Sequence, residues 1–237
     1  MELVHQYLEL HPADRLYRSD NAYRVWDDFI NADAENKCII AGRATGKTTA
    51  ILKRAILNKR DTVLVTSILD SSHRMNRFTE IARELGHEYE VLTQRNGYKE
   101  VYVNGKTIYI VSNYSYQQYR GYDLFHSKEV IFEDPENMPA VLEFLEDRRE
   151  FDHLLMIANV IMVGTINGPH PTAFKSFYRR IREQGKMARR ITSIEVLTMA
   201  EMAQVQREMP HDRFEREMMC EFEEGGGSYE SNYQATG

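Results

Sequence analysis

Ile39-Ile40-Ala41-Gly42-Arg43-Ala44-Thr45-Gly46-Lys47-Thr48-Thr49 is the stretch that decides the fold. A short apolar run, Lys37 to Ala41, enters a glycine-containing turn, and helical periodicity follows from Lys47 to Asn58. A phosphate loop has the pattern G-x-x-x-x-G-K-[ST] between a strand and a helix. Gly46-Lys47-Thr48 fits it, with Ala41 where the first glycine would stand. Such a loop turns backbone N–H groups into a concavity at a helix N-terminus, where free amides and the helix dipole meet phosphate oxygens. The expected cradle is Gly42, Arg43, Ala44, Thr45, Gly46, Lys47, Thr48 and Thr49. Lys47 is expected at the β- and γ-phosphates of ATP, and Thr48 at Mg²⁺.

Working outward, a nucleotide hydrolase needs acids at the end of a neighbouring strand. Glu129-Val130-Ile131-Phe132-Glu133-Asp134 offers apolar residues and then two carboxylates. In the usual order an Asp organises the metal and a following acid orients the attacking water. Here the order is reversed. Glu133 then takes the metal side with Thr48, and Asp134 activates water. A shifted register puts Asp134 at the metal and Glu136 at the base position, with Pro135 between them.

The remaining pattern alternates strands and helices. The first ~35 residues read as two short helices, the second starting near Ser19-Asp20 and carrying Tyr23, Trp26 and Phe29 at helical spacing. Thr62–Ile68 reads as a strand and Ser71–Leu85 as a helix stopped by Gly86. Asn104-Gly105 between Val101–Val103 and Thr107–Val111 signals a tight hairpin. Pro139–Phe151 reads as one helix, Val160–Thr165 as a strand, Thr172–Glu183 as a helix, Ile191–Val196 as a last strand and Thr198 to about Met209 as a helix. This predicts an α/β fold with a mostly parallel sheet covered by helices on both faces. The organisation expected is a helical segment over residues 1–36, a P-loop ATPase core over 37–222 and a polar Gly/Ser-rich tail or linker over 223–237.

Composition bounds the function. At 237 residues, 42% hydrophobic and 28% charged, the chain is an ordinary globular protein. No apolar run approaches the ~20 residues of a membrane span, and the N-terminus lacks a signal-peptide pattern. Cys38 and Cys220 alone exclude a disulfide scaffold or multi-cysteine zinc site, and a cytosolic setting is expected. A net charge of −6 argues against coating nucleic acid by bulk charge. The charge is uneven, however. Lys175, Arg179, Arg180, Arg182, Lys186, Arg189 and Arg190 form a basic run holding one acid, Glu183. Lys175, Arg179, Arg180 and Lys186 are the candidate DNA contacts, against the alternative of a solvated helix face. Tyr17 or Tyr23 could stack on adenine, and His170 between two prolines reads as a rigid loop residue.

The loop Gly42–Thr48, with its arginine, resembles the Walker A of tailed-phage large terminases, the DNA-packaging ATPases. Tyr119-Arg120-Gly121 resembles the family's Arg-Gly segment before the acids. Gly164-Thr165-Ile166-Asn167-Gly168, followed by the aromatic helix at Phe174, Phe177 and Tyr178, resembles its coupling motif. Phe214-Glu215-Arg216-Glu217 through Glu221-Phe222 looks like the end of the family's ATPase domain. The resemblance implies a P-loop NTPase of the additional-strand, catalytic-glutamate type that hydrolyses ATP with Mg²⁺. It implies a homo-oligomeric, five-fold ring at the phage portal, translocating double-stranded DNA in the host cytoplasm while attached to the procapsid. A small terminase subunit is an implied partner, a membrane is not, and no nuclease activity is expected from this chain. Thr165, or Asn167 with it, would sense the γ-phosphate. An arginine finger would come from Arg43 in cis, or from Arg148, Arg149 or Arg120 in trans. The same residues admit a helicase-like or replication ATPase, a small-molecule kinase, or a DNA-binding adaptor with a relic loop.

Overall fold

The computed structural model describes residues 24–33, 35–66, 71–95, 98–113, 124–167 and 172–222. At its centre β1 (Lys37–Ala41) is buried along its whole length. So are β2 (Thr62–Thr66), β6 (Glu129–Glu133) and β7 (Asn159–Gly164), as unbroken apolar runs require of strands covered on both faces. With β3 (Tyr89–Arg95), β4 (Tyr98–Val103), β5 (Lys106–Ser112) and β8 (Met187–Ile191) they build an eight-stranded sheet in the order β3-β4-β5-β2-β6-β7-β1-β8. From β5 to β8 every pairing is parallel, and only the β3-β4-β5 meander is antiparallel. β7 stands between β1 and β6, so an additional strand separates the phosphate-loop strand from the acid-bearing strand. The α/β fold with a mostly parallel sheet covered by helices, expected from the sequence, is the fold observed.

Successive residues of β1 enter opposite layers, Ile39 one and Ile40 the other. The first layer is made by α1 (Asp27–Asn31) with the 3₁₀ turn before it, α2 (Lys47–Leu57) and α3 (Ser71–Glu84), through Trp26, Phe29, Ile51 and Phe78. The second is made by α4 (Pro139–Glu146), α5 (Arg148–Ile157) and α6 (Ala173–Glu183), through Phe144, Phe151, Phe174 and Phe177. A smaller cluster of Met202, Phe214, Met218 and Met219 joins α7 (Met199–Glu208) and α8 (His211–Glu217). Among the described residues no helix is long and apolar enough to cross a membrane.

Two expectations are corrected, and two elements are new. The helix expected over Pro139–Phe151 is two helices, because the Asp147 carboxylate accepts from the N–H groups of Arg149 (2.9 Å) and Glu150 (3.2 Å) and starts a new one. The last strand lies earlier, at Met187–Ile191, because Thr192 and Glu195 form a capping box that turns the chain into a 3₁₀ turn at Ser193–Glu195. Strand β3 and helix α8 have no counterpart in the sequence reading. β3 is a sheet edge with a register shift between Val91 and Thr93, and its exposed Val91 and Leu92 blur the alternation. The Asn104-Gly105 hairpin is present, with φ of 52° and 79° as a tight primed turn demands. Ser19-Asp20, Tyr17, Tyr23, His170 and the 223–237 tail lie outside the described residues.

The sheet edge at the N-terminal ends of the parallel strands is closed by ionic packing. Glu129 accepts from Arg54 Nε (2.9 Å) and Nη2 (2.7 Å), from Asn58 (2.8 Å) and from Asn159 (3.0 Å). Arg54 Nη1 donates to the carbonyls of Phe29 (2.6 Å) and Ala32 (2.9 Å), tying α1 to α2. Both charges are buried, so Glu129→Gln leaves a cation without its counter-charge and should lower the unfolding free energy by about 3–5 kcal/mol in denaturant titration. Lys37, buried beside Arg54, has its pKa pulled down to about 8 by desolvation first and Arg54 second. Between pH 8 and 10.5 the unfolded lysine holds a proton that the folded one releases, so its contribution to stability rises with pH across that window. The stability of the native chain relative to Lys37→Met should therefore climb from pH 8 to pH 10. Buried Cys38 and Cys220, whose pKa values are raised by desolvation, act in the opposite sense in both proteins and cancel from the difference.

Candidate nucleotide site

The parallel register sets the site. Ile40 is level with Gly164, and Glu133 with Val163 and Thr66, so β1, β7, β6 and β2 all end on one line. The phosphate loop leaves β1 there and enters α2 through Gly46, whose φ of 84° belongs to the left-handed region, as does the 58° of Ala44. Lys47 Nζ donates to Thr165 Oγ1 at 2.7 Å and lies 3.9 Å from Asp134 Oδ1. Thr165 in turn donates to the Ala41 carbonyl at 2.9 Å, bridging the ends of β1 and β7. Thr48 Oγ1 donates to Glu133 Oε1 at 2.7 Å. Lys47, Thr48, Glu133, Asp134 and Thr165 are thus brought into one cluster.

The acids differ in setting. Glu133 is buried, and desolvation raises its pKa against the pull of Arg74, whose guanidinium reaches Oε1 at 2.8 Å. Asp134 adopts φ 52°, ψ 55°, with its N–H donating to the Val163 carbonyl at 2.8 Å. Glu133 Oε2 and Asp134 Oδ1 are buried and have no hydrogen-bond partner among the described residues. Buried carboxylate oxygens left open beside a threonine hydroxyl are a donor set for a hard divalent cation such as Mg²⁺. Among the described residues no cluster of three or more His, Cys, Asp or Glu is placed to hold a metal ion. Glu136, the base of the shifted register, accepts instead from Thr172 Oγ1 at the start of α6, and burial raises its pKa.

Gly42 and Arg43 are clasped from behind. Gly42 N donates to the Ile191 carbonyl and Arg43 N to the Glu217 carbonyl, each at 2.8 Å, while Ser193 Oγ donates to the Arg43 carbonyl at 2.7 Å. The Arg43 side chain pairs with Glu217, which also accepts from Arg213 at 2.8 Å. Thr49 accepts from Arg77 at 3.1 Å, on the helix behind the cradle. Arg148 is 93% exposed with its nearest acid, Asp152, at 4.0 Å, and Arg149 is exposed. Neither meets the loop. Arg120 lies outside the described residues. Asn167 donates to Asn137 at 2.6 Å, away from Lys47.

The basic run does not form one exposed face. Lys175 is buried with its ammonium over the Phe222 ring at 5.9 Å, which corrects its expected place on a DNA-facing surface. The cause is the helix phase: α6 buries Phe174, Phe177, Tyr178 and Ile181, and Lys175 falls beside them. Arg180 pairs with Asp152 at 2.7 Å, and Arg190 stacks on Phe222 at 4.5 Å. Arg179 and Lys186 are half-buried. Sequence reasoning missed Arg74 and the clasp by Ser193 and Glu217. Both are contacts between segments far apart in the chain, for which no local spacing exists.

No family model matches the chain, and no curated protein does. Among solved structures, the large terminase of a thermophilic bacteriophage superposes with a TM-score of 0.61 at 15% identity, over 84% of this chain and 52% of that one. The fold is that of a large-terminase ATPase domain. The same phage terminase solved with ADP gives a TM-score of 0.59 at 15% identity, over 85% and 52%. The large-terminase ATPase domain of Thermus phage P74-26 gives 0.55 at 14% identity, over 81% of this chain and 90% of that one. The chain therefore spans about half the length of the first terminase and nearly all of the isolated ATPase domain.

The tightest point of the clasp is Gly42. A Cβ there would stand 2.6 Å from the Met218 carbonyl oxygen and 2.8 Å from Ser193 N, both backbone atoms that cannot swing aside. Gly42→Ala should cost about 1–3 kcal/mol as an overpacked site. It should also weaken nucleotide binding in a calorimetric titration, because the loop must shift to admit the methyl.

Proposed function

We propose that this chain hydrolyses ATP at the phosphate loop and uses the reaction to translocate double-stranded viral DNA as a subunit of a ring motor. The supporting observation is the convergence of Lys47, Thr48, Glu133, Asp134 and Thr165 at one row of strand ends, in a fold shared with large-terminase ATPase domains. Lys47 holds the β- and γ-phosphates, and Thr165, already bonded to it, senses the loss of the γ-phosphate. Thr48 and Glu133 hold Mg²⁺, which when bound would neutralise charge on the phosphate oxygens. Asp134, with an open oxygen 3.9 Å from the lysine, orients the attacking water.

The solved relative with ADP supports nucleotide as the ligand. The arginine that completes the site is Arg43 in cis or one reaching from a neighbouring subunit, for which exposed Arg148 and Arg149 are the described candidates. Arg43 is engaged by Glu217 and supplies the cis alternative if that pair opens. DNA is met through the half-buried Arg179, Arg180 and Lys186 at the portal of a procapsid, in a five-fold assembly that a small terminase subunit would load.

Steady-state phosphate release tests this reading. Lys47→Ala should reduce the rate by about 10²–10³, as for other transition-state charge donors. Asp134→Asn should reduce it by about 10²–10⁴. Rates should rise more than linearly with protein concentration and respond to double-stranded DNA. A rate untouched by Lys47→Ala overturns the ATPase assignment. A linear, DNA-independent rate overturns the ring-motor part alone.

A further inference from the structure

Trp26 is the single tryptophan of the chain, and it is fully buried. Its indole N–H donates to the carbonyl of Thr45, at the crest of the phosphate loop, at 2.7 Å. A trans peptide points its C=O and N–H to opposite sides, and no described bond is cis. Drawing the Thr45 carbonyl toward the indole therefore turns the Gly46 N–H the other way, away from Trp26.

That peptide needs an external hold. Ala44 and Gly46 flank Thr45 with φ of 58° and 84°. Glycine on the far side of a peptide makes its rotation sterically cheap, because the turning carbonyl meets no Cβ on the residue that follows. The Thr45 hydroxyl is committed to the Gly42 carbonyl at 2.9 Å, so it closes the loop on itself without fixing the 45–46 peptide. The indole is rigid by contrast. It meets Phe29 edge-on at 5.6 Å, and Arg54 gathers the carbonyls of Phe29 and Ala32 just beyond it.

We propose that Trp26 is a positioning residue for phosphate binding: its indole N–H holds the Thr45–Gly46 peptide so that the Gly46 N–H faces the phosphate. The inference rests on the nucleotide reading above and names a residue of the segment before β1 as part of that site. Trp26 touches no ligand and acts through the loop backbone.

The lone tryptophan makes the test clean. Biosynthetic replacement by 3-benzothienylalanine keeps the fused two-ring shape but removes the N–H, and it changes this position alone. Trp26→Phe is the genetic counterpart. MgADP affinity is measured by calorimetry on the full chain for the native protein, both variants and Lys47→Ala, with melting temperatures alongside. The benzothienyl protein should melt within a few degrees of the native chain and bind MgADP about tenfold more weakly, the effect of one buried hydrogen bond. Native affinity in that protein, with binding lost in Lys47→Ala, overturns the positioning role and leaves the nucleotide reading standing. A joint fall of melting temperature and affinity in the benzothienyl protein overturns it too, by making Trp26 a packing residue only. No MgADP binding by the native chain, or equal binding by Lys47→Ala, overturns the nucleotide reading and the inference with it.

Discussion

Strand β6 carries a buried carboxylate at each end, and the contrast between the two organises the molecule. Glu129, at its start, has both oxygens filled by Arg54, Asn58 and Asn159. Glu133, at its end, shares one oxygen with Thr48 and Arg74 and leaves the other open. A buried carboxylate is costly unless every lone pair is met, so a satisfied one holds structure together and an open one is retained for something that binds. Parallel pairing places every strand end on the same side, so the open end of β6 lies in a row with the loop after β1 and Thr165 after β7. The clustered groups are neighbours because the strands are parallel, not because their residues are close in sequence.

Much of this was legible in the sequence, and the reason is local. The apolar run before Gly42, the glycine at 46 and the helical period after Lys47 are signals contained within a dozen residues, and they locate the loop. Glu133-Asp134 is legible because two carboxylates close an apolar strand in a chain that also carries the loop at Lys47. The two registers differ in the partners their acids find. Thr48 bonds Glu133, whereas Glu136 turns toward Thr172, and no spacing rule distinguishes those partners. Lys175 shows the same limit from the other side. A run of basic residues reads as an exposed face, yet the helix phase sets one of them among Phe174, Phe177 and Tyr178. Charge in a sequence says what is present, and only packing says which way it faces.

The last strand and the loop's clasp follow one logic. Thr192 and Glu195 stop β8 early, and that turn brings Ser193 under Arg43 while Met218 comes over Gly42. On the opposite flank Trp26 holds Thr45. The phosphate loop is thus gripped by two segments that lie on either side of it in the chain. Backbone amides work as a phosphate cradle only when their directions are fixed before the ligand arrives, because reorganising them on binding would consume the affinity they provide. The side chains that would act on the ligand are held less firmly: Lys47 rests on Thr165, Asp134 keeps an open oxygen, and Arg43 leans on Glu217 at the half-exposed rim. The division is a physical one. The backbone supplies a fixed field, and the adjustable charges around it are those that a phosphate can draw inward.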